Sequence, residues 1–84
     1  MKPRKQPYGS KNIVGARIEE RRKELGLKQK DLLVRLQIAG LDLNAAGLSK
    51  IEGQIRTVND FELVIFSEVL GVSVLYLLGI DENE

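Results

Sequence analysis

Apolar residues recur along this chain at three- and four-residue intervals, and glycines cut that rhythm into five pieces. Over residues 13–25, Val14, Ile18 and Leu25 fall on one stripe, with Glu19 and Lys23 four apart on the wet side. This predicts a first helix, stopped by Gly26. A second helix begins near Gln29 with Lys28 as its N-cap and Leu27 and Leu32 as a hydrophobic staple. Its expected buried face is Leu32, Leu33, Leu36 and Ala39, and Gly40 ends it. A third covers residues 45–52, capped by Asn44, stapled by Leu43 and Leu48, with Leu48 and Ile51 inward and Gly53 breaking the pattern.

The fourth helix carries the fullest set of start signals. Asn59 and Glu62 have capping-box spacing, Val58 and Leu63 staple spacing, and Gly71 closes it. Phe61, Ile65 and Val69 share one face, and Leu63, Phe66 and Leu70 the neighbouring one. The fifth helix has Ser73 as cap, Val72 and Leu77 as staple, and Gly79 as stop. No stretch alternates with period two and no segment repeats, so the expected fold class is all-α, a compact five-helix bundle.

Eighty-four residues fit one domain. The expected division is a flexible basic arm over 1–12, a folded domain over 13–80 and an acidic tail over 81–84. The C-terminal segment holds Phe66, Val74, Leu75, Tyr76, Leu77, Leu78 and Ile80, more apolar surface than so small a bundle easily hides, which points to a homodimer seam. The longest mostly apolar run, 72–80, falls short of the about 20 residues that cross a bilayer. The first residues, MKPRKQPYGSKN, lack the apolar stretch of a secretory signal. A cytoplasmic protein without membrane contact is expected. The chain has neither cysteine nor histidine, which argues against disulfides, metal sites and nucleophilic or general-base chemistry. An enzyme is not expected, and no cofactor is implied.

Charge changes this picture most. The net +1 conceals two opposed parts: all 13 Lys and Arg lie within residues 2–56 beside 6 acids, a surplus of +7, and the residues beyond carry 6 acids and no base. Such polarity suggests one basic working face and one acidic remainder.

The segments GLKQKDL, LSKIE and LGVSVLYLL, placed in this order along residues 13–79, resemble the phage-repressor and Cro-like (XRE-type) helix-turn-helix family. The resemblance implies that the second and third helices form the helix-turn-helix, with the third inserted in the major groove of double-stranded DNA as in a transcriptional regulator, most simply a repressor bound as a homodimer. It implies that Ala45, Ala46, Ser49 and Lys50 face the bases. It places Gln29 next to a phosphate. Arg56, just after the third helix, is positioned for the flanking backbone, Lys28, Lys30 and Arg35 add cations to the same track, and Asn44 is a further expected phosphate residue. It also implies a structural ion pair between Arg22 and Glu52.

Two departures stand out. The connector is about five residues longer than the usual turn, and its Ile38, Ala39, Leu41 and Leu43 predict an extended second helix followed by a loop tucked into the core. Among the base-facing positions two are alanines, Lys50 is the one strong donor, and Gly47 inside the helix costs about 1 kcal/mol unless it serves close approach to DNA or a neighbour. Those alanines keep a second reading open: a protein-interaction module, or an antitoxin-like partner-binding protein, on the same fold.

Overall fold

The computed structural model describes residues 11–80, and these form five helices: α1 (Gly15–Glu24), α2 (Gln29–Ile38), α3 (Ala45–Glu52), α4 (Asp60–Leu70) and α5 (Val74–Leu78). Among the described residues no strand forms. The fold class is all-α, a bundle of five helices, in which the 39–44 connector joins α2 to α3.

Helix ends follow the local chemistry. Lys28 N–H donates to the Asp31 carboxylate and Asn59 N–H to Glu62, so each helix start satisfies a backbone donor with an acid one turn on. Asn44 and Ser73 cap through their side-chain oxygens, accepting from Gly47 N–H at 2.7 Å and Tyr76 N–H at 3.0 Å. The end of α3 differs from expectation. Gly53 keeps a right-handed φ of −78°, and Gln54 takes the left-handed position at φ 64°. Two loop bonds, Gln54 N–H to Ile51 O and Ile55 N–H to Lys50 O, close the helix in the Schellman pattern.

The core is a single cluster with Ile18, Leu32, Leu36, Leu48, Ile51, Phe66 and Leu77 fully enclosed at its centre. The long connector behaves as its apolar content implies. Gly40, at φ 101°, turns the chain so that Leu41 and Leu43 enter the core, and Gln37 Nε2 donates to Leu43 O to hold the loop against α2. Several apolar residues lie elsewhere than expected. Leu25 and Ala39 follow the last turns of α1 and α2 and are exposed, and Phe61 faces outward. Phe66 and Leu77 of the supposed surplus are wholly buried, which leaves Leu75 as its one clearly exposed member. Gly47 lies against Leu43, where a Cβ would come within 2.8 Å of Leu43 Cδ1, so this glycine serves the protein's own packing.

Leu41→Ala is expected to lower the unfolding free energy by about 2–5 kcal/mol, whereas Ile38→Ala, at an exposed site nearby, changes it by less than about 0.5 kcal/mol. Urea unfolding midpoints of the two variants test whether the connector is core or ornament.

Candidate nucleic-acid interface

Helix α3 presents one open side. Ala45, Ala46, Ser49 and Lys50 are all exposed on an arc of about 140°, while Leu48, Ile51 and Glu52 are buried on the remainder. This side is covered by no other part of the described chain.

What orients α3 is a set of polar contacts at its C-terminal end, made from α1 and the residues just before it. Arg22 Nε and Nη2 donate to the two oxygens of Glu52 at 2.8 and 2.9 Å, and Nη1 donates to Leu27 O at 2.8 Å. Both side chains are buried. The hydrogen bond to Glu52 raises the guanidinium pKa against the opposing effect of burial. Beside them, Asn12 Nδ2 donates to Ile51 O and Arg56 O, while its Oδ1 accepts from Val14 N–H and Gly15 N–H. One side chain therefore starts α1 and grips the end of α3. Gly15 makes that closeness possible, since a Cβ there would fall 2.0 Å from Ile51 O. Lys11 N–H adds a bond to Gln54 O. These contacts move the expected boundary of the basic arm: residues 11 and 12 are fastened to the bundle, because a primary amide can satisfy carbonyls that a helix end leaves open. Lys2, Arg4 and Lys5 lie outside the described residues, as does the acidic tail.

The expected phosphate residues are distributed unevenly. Gln29 donates from Nε2 to Glu52 Oε1 at 3.0 Å, which joins the start of α2 to the end of α3. Lys28 and Lys30, the neighbours of Gln29 in sequence, are exposed, as is Lys50 two residues before Glu52. Asn44 sits at the opposite end of α3 with its amide oxygen committed to Gly47 N–H. Arg35 stands five residues beyond Lys30, well up α2. Arg56 departs from the expectation: its two terminal nitrogens each donate to one oxygen of Glu62 at 3.1 Å, and Nη1 also reaches Thr57 O. The fork that a phosphate would need is occupied by a carboxylate that is itself buried.

Burial would push the Glu62 carboxyl up, but hydrogen bonds from Arg56 and Asn59 N–H, with the Arg56 charge, outweigh it and hold the group below its ordinary value. Sequence reasoning identified Glu62 as a cap residue and missed this second duty. The available signal was a cation six residues ahead of an acid across a helix start. Asn12 and Gly15 were missed because their roles depend on a residue some forty positions away.

Among the described residues no cluster of three or more His, Cys, Asp or Glu could hold a metal ion, and no helix is long and apolar enough to cross a membrane.

No sequence model of a known family matches the chain, and no curated protein matches it. Among solved structures, a chain from a SinR protein/SinI protein complex is similar, at 36% identity and a TM-score of 0.64. The match covers 86% of this chain and 64% of the other, so this chain spans just under two thirds of the length of the structure it resembles. The likeness supports a helix-turn-helix, repressor-like fold.

Two measurements follow from the polar contacts. Glu52→Gln removes the buried counter-charge of Arg22, leaving only half-exposed Glu19 at 3.9 Å, and is expected to cost about 3–5 kcal/mol in chemical denaturation. Because the folded-state pKa of Glu62 is depressed, the stability its pair provides is complete above the ordinary carboxylate range and fades as pH falls through the depressed value. Glu62→Gln should therefore flatten the acid limb of a stability–pH curve, and an unchanged limb would contradict the pairing.

Proposed function

We propose that the chain is a DNA-binding transcriptional regulator, acting as a repressor, which lays α3 in the major groove. The observation that carries this reading is the uncovered arc of α3, which bears Lys50 and whose C-terminal end is bonded through Gln29 to the start of α2, where Lys28 and Lys30 are exposed. In this reading Lys50 reads a base edge, Ala45 and Ala46 offer methyl contacts to thymine, and Ser49 adds a small donor. Lys28, Lys30, the first turn of α2 and the Asn44 amide group approach phosphates, where free helix N–H groups and positive charge favour an anion. Gln29 joins them by sharing its amide between Glu52 and the backbone, and Arg56 acts by fixing the segment after α3. The chain would work in the cytoplasm as a homodimer on a two-fold operator, without a cofactor and without chemistry of its own.

A second reading has one observation in its favour. The exposed arc is dominated by small side chains, which suit close packing against a protein helix as well as they suit a groove. An interaction module or antitoxin-like protein would use α3 on a protein partner.

Salt dependence separates the two. DNA affinity should fall with log salt at a slope of about −0.9 per phosphate contacted, and absence of binding at low salt favours the protein partner. Lys50→Ala should weaken the selected site by about 1–3 kcal/mol with a smaller loss on random DNA, whereas Lys28→Ala should weaken both alike and reduce the salt slope by about 1. Equal losses for Lys50→Ala on both DNAs refute base reading.

A further inference from the structure

Besides the open side of α3, one face of α2 and one of α4 are uncovered among the described residues, and their charges are opposite. The exposed arc of α2 runs through Lys30, Val34, Arg35 and Ile38, across the helix from buried Leu32 and Leu36. Val34 and Ile38 stand one turn apart, 54% and 81% exposed. The exposed arc of α4 runs through Asp60, Phe61, Val64 and Glu68, across from buried Glu62, Phe66 and Leu70. Phe61 and Val64 are 58% and 48% exposed. On α2 the cations Lys30 and Arg35 flank Val34 and Ile38, with half-buried Asp31 between Ile38 and Arg35; on α4 the acids Asp60 and Glu68 alternate with Val64 and Phe61.

None of Lys30, Arg35, Asp60 and Glu68 forms an ion pair among the described residues. Asp31, the acid within the α2 arc, is half-buried and has its carboxylate turned to Lys28 N–H, which leaves the two exposed cations in excess there. Packing either arc on its own kind would juxtapose like charges, which disfavours it, whereas α2 on α4 opposes cations to anions over matched apolar pairs.

We propose that the α2 arc of one copy docks on the α4 arc of a second copy, Val34 and Ile38 against Phe61 and Val64, with Arg35 opposite Glu68 and Lys30, at the edge of the arc, left to the phosphates. The surface differs from the α5 seam expected from the apolar tail. A few side chains on each partner bury less than the roughly 1,200 Å² of a stable interface, so the contact is weak between free molecules. It gains force when two copies are held side by side, because local concentration then replaces diffusion. A closed pair, in which each copy supplies both arcs, and an open row of copies are both compatible with it.

Sedimentation equilibrium of the full chain, from about 10 μM to about 1 mM at low salt, tests the idea in the concentration range of weak contacts. The wild type should gain mass with concentration and lose that gain as salt is raised. Arg35→Glu and Glu68→Arg should each weaken self-association tenfold or more while circular dichroism stays unchanged, since both residues are exposed. An equimolar mixture of the two variants should recover association, because each reversed charge meets its opposite on the other molecule. A wild type that stays monomeric throughout, association that survives both reversals, or a mixture no better than either variant alone would each overturn the proposal.

Discussion

The orientation of α3 depends on its C-terminal end being seized from two sides, by α1 and by the residues that lead into it. On one side the Arg22 fork closes on Glu52, and on the other Asn12 and the bare Cα of Gly15 close on Ile51 O. Hydrophobic burial of Leu48 and Ile51 attaches the helix to the core, but apolar contact is non-directional and fixes no angle. The paired hydrogen bonds supply direction. Gln29 then extends the same knot to α2, so that three helices meet at Glu52.

This arrangement sorts the cations by type. Arginines do most of the internal work: Arg22 holds Glu52, Arg56 holds Glu62, Arg21 Nε donates to Leu70 O at the end of α4, and Arg17 lies 4.7 Å from the centre of the Tyr76 ring. Lysines 28, 30 and 50 remain at the surface. The division follows from a planar fork that matches carboxylates and rings, against a compact, strongly hydrated ammonium. A count of positive charge along the chain therefore overstates what the molecule shows to an anionic partner, since part of it is neutralised within the bundle.

The helices were legible because their signals are local. Asn44 three residues before Gly47, Asn59 three before Glu62, and glycines in left-handed positions at 26, 40, 71 and 79 all act within one turn of themselves. The burial of Leu41 and Leu43 was legible too, from apolar residues in a segment too short for another helix. The candidate surface was only half legible. Arg56 read as a phosphate contact because its position beside α3 is visible in sequence, while its engagement by Glu62 requires knowing how the chain turns after α3. Gly15 and Asn12 depend on a crossing between α1 and the end of α3, which periodicity does not reveal.

The buried connector between α2 and α3 carries a thermodynamic consequence. A loose insertion at that place would behave as a hinge, and docking the molecule on a rigid template would first require freezing it. With Leu41 and Leu43 anchored and Gln37 bonded to Leu43 O, the two helices already move as one body. Association through this surface should accordingly show a heat-capacity change no larger than the contacted area accounts for, without the excess that accompanies folding coupled to binding.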